Sequence, residues 1–213
     1  MQELPFEVEK LNANIILVIF DDQHTMCDTL VRIQEHYEHP ILKGKSFTLG
    51  RLRQLSIEEK GVFDYNFWVD GMNFPSSAIS AFITGLFDPL TEAEDQFIDL
   101  VTRRTGDYYV IAVYKGYDED TLEHEKCHAL YGTNDLYMLE VDEAISDANY
   151  VLNKGLIEWL NKEGYHDAVV LDEVNAYLVA DSKYLKEEGI EFDEELAITL
   201  QEIRSRYKIN EDE

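Results

Sequence analysis

The chain has 213 residues, of which 45% are hydrophobic and 12% aromatic, so it has the apolar material for a buried core, and general disorder is excluded. Lys and Arg total 18 against 44 Asp and Glu, and the resulting net charge of -26 repels phosphate backbones and anionic membranes. We therefore expect neither nucleic acid nor a membrane as a partner. The length suits a single domain over residues 1–213.

The N-terminal segment predicts that the protein is not exported. It carries acidic residues where a signal peptide would be basic, and its apolar run IILVIF is far shorter than the roughly 20 residues of a membrane span. The two cysteines, Cys27 and Cys127, lie far apart and suggest no disulfide framework, which suits a reducing compartment. We expect a cytoplasmic protein.

The first half of the chain predicts a strand followed by several helices. Helical spacing of apolar residues follows the buried run Ile15–Phe20, and Thr91 with Glu94 forms a capping signature. The predicted elements are a strand over 15–20, a helix over 25–37, loops with a short helix and a strand over 44–75, and helices over 76–86 and 91–103. Residues 1–105 form an N-terminal part of uncertain fold.

The second half predicts one further strand and a series of helices. The segment 107–116, DYYVIAVYKG, is dense in Tyr, Val and Ile and ends at a glycine, which is typical of a strand. The predicted helices run from about 118 to Tyr131, where Gly132 ends the first, then over 135–161 with a break near 153–155, over 167–181 and over 193–207, before an acidic tail.

The segment TLEHEKCHAL contains the motif His-Glu-x-x-His. On a helix, His124 and His128 lie one turn apart on the same face, where two imidazoles can bind one zinc ion. Glu125 is then next to the open coordination position, where it can act as general base toward a metal-activated water. The motif predicts a Zn²⁺ site with these histidines as ligands and Glu125 as the catalytic residue. The alternative is a pair of ordinary polar histidines on an acidic helix.

A Tyr/Val-rich strand that leads through a short acidic turn into HEKCHAL resembles the zincin metallopeptidases, and the resemblance covers residues 106–181. It implies an α+β, zincin-like fold, with a small mixed or antiparallel sheet, an edge strand beside the motif helix, and further helices after it. The edge strand of such proteins pairs with an extended substrate. Residues 182–213 would add a C-terminal helix and the acidic tail.

The gluzincin branch of this family takes its third protein ligand from a glutamate on a later helix, and two glutamates are candidates. Glu143 in DEAISD resembles the segment in which that ligand is followed four residues later by an aspartate, here Asp147. Glu173, in VVLDEVNAYLVAD, lies on a separate helix farther along, and residues 165–181 resemble the third-ligand helix of small zincin-like proteins.

Helical periodicity ranks the two candidates in the opposite order to local similarity. Glu143 falls far from the apolar stripe of its helix and should face water. Glu173 lies at the flank of an apolar face, near Ala176 and Ala180, whose small side chains permit close approach to the motif helix. We therefore predict Glu173 as the third metal ligand and keep Glu143 as the alternative.

The combined prediction is a cytoplasmic zinc metallopeptidase that hydrolyses the peptide bonds of a peptide or protein substrate. Two other functions are open. The first keeps the zinc-binding, zincin-like domain but lacks peptidase turnover. The second is an acidic binding protein or DNA mimic, in which the motif is accidental.

Overall fold

The protein has an α+β architecture, seen in a computed structural model. The structure describes residues 4–63, 69–87, 89–148, 150–165 and 168–209. The predicted acidic tail lies outside these ranges. The chain forms two compact units, residues 1–117 and 118–213. Their boundary falls inside the predicted metal-site region, 106–181, and the single domain over 1–213 stays a prediction.

The first unit is built on a four-stranded mixed sheet of order β1-β2-β4-β3. β1 (Phe6–Lys10) pairs antiparallel with β2 (Ile15–Phe20), which runs parallel to β4 (Tyr109–Tyr114). β3 (Met72–Pro75) pairs antiparallel with the other side of β4. The mixed sheet is therefore as predicted.

The prediction that the strand before the motif is an edge strand is wrong. β4 is hydrogen-bonded to β2 on one side and to β3 on the other, so both of its edges are occupied. Its sequence YVIAVY has no apolar/polar alternation, and its first five residues are all buried. Such a continuous apolar run is typical of a strand covered on both faces.

The helices of the first unit agree with the predicted order. The segment 44–75 contains a helix and a strand, and the capping box of Thr91 and Glu94 is present. In place of the helix predicted over 76–86, the chain forms a 3₁₀ turn, Ser76–Ile79, and then a single turn of α-helix. Gly85 lies just after this turn, with a φ of 78°. The helices are α1 (Gln23–Glu38), α2 (Leu49–Lys60), α3 (Ser80–Ile83) and α4 (Glu92–Val101).

A buried ion pair joins α1 to α4. Arg32 Nε donates to Glu94 Oε1 at 2.6 Å, and a second guanidinium nitrogen pairs with the other carboxylate oxygen. The guanidinium also donates to the carbonyl oxygens of Phe87 at 3.4 Å and Pro89 at 3.3 Å. Each charge is thus compensated inside the core, which is the condition under which a buried pair is tolerated.

Glu94→Gln should lower the free energy of unfolding by about 3–5 kcal/mol, because Arg32 would keep a buried charge without its counterion. Glutamine still serves the capping box, so the change isolates the charge. The matched control is Asp99→Asn on the same helix, which breaks an exposed pair with Arg103 and should cost less than about 1 kcal/mol. Urea unfolding followed by circular dichroism measures both; equal losses would contradict the prediction.

The second unit is helical in all its described elements. The motif helix continues past the predicted stop at Gly132 and ends at Thr133. The next residue, Asn134, caps the following helix with its side chain. The helix predicted over 135–161 breaks at Ala148 and not near 153–155. The helices are α5 (Glu119–Thr133), α6 (Asp135–Asp147), α7 (Tyr150–Glu163), α8 (Val170–Ala180), α9 (Ser182–Glu187) and α10 (Glu194–Arg206).

Gly155 lies inside α7 and permits a close contact with another segment. A Cβ at this position would lie 2.9 Å from the carbonyl oxygen of Glu191, which accepts a hydrogen bond from Leu156 N at 3.1 Å. The glycine therefore permits the segment before α10 to lie directly on α7, and α7 continues through it.

Among the described residues, we find no helix with the length and apolar character that spanning a membrane requires.

Candidate metal centre

Three side chains of the second unit converge at one point. His124 and His128 come from α5, and Glu173 comes from α8. The two Nε2 atoms are 3.0 Å apart, and Glu173 Oε2 lies 3.9 Å from the first and 3.8 Å from the second. His128 and Glu173 are buried, and His124 is 15% exposed in its side chain. The structure thus brings together the three residues predicted as metal ligands.

Local sequence explains how α5 presents its histidines. Asp118 caps the helix, because its side chain accepts a hydrogen bond from Asp120 N at 2.7 Å. The acidic residues of the first turn stabilise the helix further through their attraction to the positive end of its dipole. The helix places His124 and His128 on one face. Their partners on α8 occur in the reverse order along the chain, so that α5 and α8 run antiparallel.

A second carboxylate anchors each imidazole. Asp181 Oδ2 accepts from His124 Nδ1 at 2.6 Å, and Asp172 Oδ2 accepts from His128 Nδ1 at 2.9 Å. A carboxylate is an acceptor, so the proton of each neutral ring belongs on Nδ1. Each Nε2 then turns its lone pair toward Glu173. Carboxylates that orient histidines in this way are typical of metal sites.

The contact between the two Nε2 atoms provides a test of whether a metal fits. With a proton on one of them, that nitrogen donates to the other across 3.0 Å, and a metal cation bound by both nitrogens would take the place of that proton. Two imidazole nitrogens and one carboxylate oxygen are a donor set that zinc accepts in proteins. The residues present therefore fit a zinc ion, and His124, His128 and Glu173 would hold it.

The electrostatics of the centre also favour a cation. Burial by itself lowers the pKa of His128, but the carboxylates of Asp172, Glu173 and Glu125 together raise it well above its usual value. The raised pKa shows that negative charge dominates around this ring. With Asp181 beside His124, four carboxylates surround two imidazoles, and a divalent cation offsets part of that charge.

The other residues considered as site residues differ in their burial. Glu125, the predicted general base, is buried and is close enough to His128 to affect its pKa. Glu143 is exposed on α6, as its place on the helical wheel predicts. Burial raises the pKa of the Cys127 thiol to about 12, and Cys127 is not part of the group of three candidate donors.

Asp172 and Asp181 are the residues that the sequence interpretation missed. Asp172 directly precedes Glu173, and Asp181 follows it by two helical turns. A search for acids that α8 could direct toward two histidines would have found them.

Comparisons of the chain with protein-family models, with curated proteins and with solved structures give no match.

The two candidate glutamates can be distinguished by zinc affinity. Glu173→Ala should weaken binding by more than about 100-fold, because it removes a donor atom and a compensating charge. Glu143→Ala should leave the affinity within about twofold, since its carboxylate is exposed to solvent. Competitive titration against a chromophoric chelator measures both variants. The reverse ranking would make the DEAISD segment the ligand helix.

Asp172→Asn and Asp181→Asn test the anchoring carboxylates. Each change should lower zinc affinity by about 10–100-fold, because an amide removes the charge that makes the imidazole a stronger ligand. The control is Asp135→Asn, an exposed change at the start of α6. Affinities equal to that of the control in both variants would show that the aspartates do not support the metal.

Proposed function

We propose that the protein is a zincin-like zinc metallopeptidase of the gluzincin type, which hydrolyses peptide or protein substrates in the cytoplasm. The observation that supports this best is the convergence of His124, His128 and Glu173, with the Nδ1 atom of each histidine held by its own aspartate. The His-Glu-x-x-His spacing of the motif agrees with it.

The number of protein donors favours catalysis over a purely structural role. Structural zinc sites usually have four protein ligands, whereas catalytic sites have three and keep one position open. The described residues provide a group of three. Zinc, when bound, would supply a Lewis acid that polarises the scissile carbonyl and lowers the pKa of a water to about 7.

The side chains of the centre have separate tasks. Glu125 accepts a proton from the attacking water and passes it to the nitrogen of the leaving amine. Its burial beside His128 keeps solvent from competing for that proton. Asp172 and Asp181 hold the imidazoles in the tautomer that exposes Nε2.

Of the three candidate donors, His124 is the most exposed. Its side chain is 15% exposed, against 4% for His128 and 7% for Glu173, whereas the two anchoring aspartates are exposed to similar extents, Asp181 at 21% and Asp172 at 18%. A substrate would therefore reach the centre past the His124 ring.

Metal content and hydrolysis of a peptide library test this function together. Protein purified from zinc-replete medium without chelator should hold about one zinc per chain, and it should cleave library peptides. If the protein binds zinc but cleaves no peptide, the zinc-binding domain without peptidase turnover is the better interpretation. If it holds no zinc, the acidic binding protein is favoured, which the net charge of -26 supports.

A further inference from the structure

A row of aromatic side chains extends from His124, the more exposed of the two histidines. The ring of Tyr177 packs edge-on against His124, with centroids 4.8 Å apart. Trp159 stands perpendicular to Tyr177 at 5.0 Å, and Tyr184, which is 46% exposed, lies 6.5 Å from Trp159. These three aromatic residues come from α7, α8 and α9 and continue outward from His124.

Each of these aromatic residues is followed by an acid one helical turn later. The pairs are Trp159 with Glu163, Tyr177 with Asp181, and Tyr184 with Glu188. Residues four apart lie on the same side of a helix, so each carboxylate flanks its ring. Partial burial and then the charges of Glu188, Glu163 and Asp181 raise the pKa of Tyr184, which agrees with carboxylates gathered around that ring.

The outer carboxylates, Glu163 and Glu188, form no ion pair with a base of the described residues. No lysine or arginine nitrogen in those ranges lies within 4.0 Å of either carboxylate. The two lysines of α9 pair elsewhere, Lys183 with Glu187 and Lys186 with Glu194. The aromatic faces and the carboxylates therefore present negative potential to anything that approaches His124.

We propose that Trp159, Tyr177 and Tyr184, with Glu163 and Glu188, form a subsite that binds a lysine or arginine side chain of the substrate peptide. This inference rests on the proposed peptidase function and names the class of its substrate. A cation over an aromatic face is attracted by the ring, most strongly by tryptophan, and the carboxylates add to that attraction. An uncharged side chain would gain only the apolar contact.

The position of the subsite agrees with a role in substrate selection. Tyr177 contacts His124 directly, and an extended peptide advances only about 3.3–3.6 Å per residue. A basic side chain held by these rings therefore belongs to a residue close to the scissile bond. The alkyl stem of lysine or arginine can pack on the rings while its charged end reaches the carboxylates.

Peptide binding to the zinc-loaded Glu125→Gln variant tests the subsite without turnover. Peptides that differ at one position, occupied by lysine, arginine, norleucine or glutamate, are titrated by calorimetry, and that position is moved along the peptide. Lysine and arginine should bind about tenfold more tightly than norleucine at one position. Adding Glu163→Gln with Glu188→Gln, or Tyr184→Leu alone, should reduce that preference to less than about threefold.

The matched control is Glu187→Gln, which removes a charge from the same helix but outside the subsite, and it should keep the full preference. Equal binding of lysine and norleucine peptides at every position, or no binding of any, would overturn the inference. A preference that Glu163→Gln with Glu188→Gln leaves intact would attribute it to the overall charge and would also overturn it. Cleavage by the wild type is scored separately, so binding of basic peptides without cleavage refutes only the peptidase.

Discussion

His128→Ala is expected to abolish stoichiometric zinc binding. The imidazole supplies one of three donors, and its loss also leaves Asp172 without the ring that it anchors. Glu173 and a single histidine cannot hold the ion at comparable affinity, and we expect a loss of more than about 1000-fold. Elemental analysis of purified protein and competitive chelator titration measure the effect.

His24→Ala is the matched control for this loss. His24 is an exposed histidine of the first unit that pairs with Asp28, so its removal should leave one zinc per chain. Circular dichroism of the His128→Ala protein shows whether the helices remain folded. A folded His128→Ala protein that still holds one zinc would refute the metal centre.

Glu125→Gln should retain zinc and lose hydrolysis. Glutamine keeps the shape of the side chain but cannot accept the proton of the attacking water, and general-base catalysis typically contributes about 100- to 10000-fold to a rate. The expected loss in kcat/KM is of that size, with zinc affinity nearly unchanged because Glu125 is not in the donor group. Steady-state cleavage of a peptide that the wild type hydrolyses provides the measurement.

Glu119→Gln controls for a change of charge on the same helix. Glu119 is exposed in the first turn of α5, more than one turn before His124, and its replacement should alter the rate by less than about twofold. If the Glu125→Gln protein turns over as fast as this control, Glu125 is not the base. The zinc-binding protein without peptidase activity would then be the better interpretation.

Local patterns were sufficient to predict most of the elements. Apolar runs located β2 and β4, the spacing of apolar residues located α1 and α10, and a capping signature located the start of α4. Periodicity also predicted that Glu143 faces water and that Glu173 lies on a packed face. These features depend on neighbours within a few turns, which a single sequence contains.

Several features that depend on distant neighbours were not predicted. The resemblance implied an edge strand before the motif, and only the pairing of β4 with β3 shows that this strand is internal. The break between α6 and α7 was predicted near 153–155, where Gly155 instead permits a close contact with Glu191. Asp172 and Asp181 were not singled out, because their pairing with the histidines depends on how α5 and α8 pack against each other.

The candidate metal donors, their anchoring aspartates and the proposed base all belong to residues 118–213. The sheet of residues 1–117 contributes no ligand to this group. Substitutions can therefore accumulate in the first unit during evolution without altering the coordination chemistry, and an engineer can exchange its surface loops for new recognition elements. Ion binding would likewise stabilise the helical unit, because all three candidate donors belong to it.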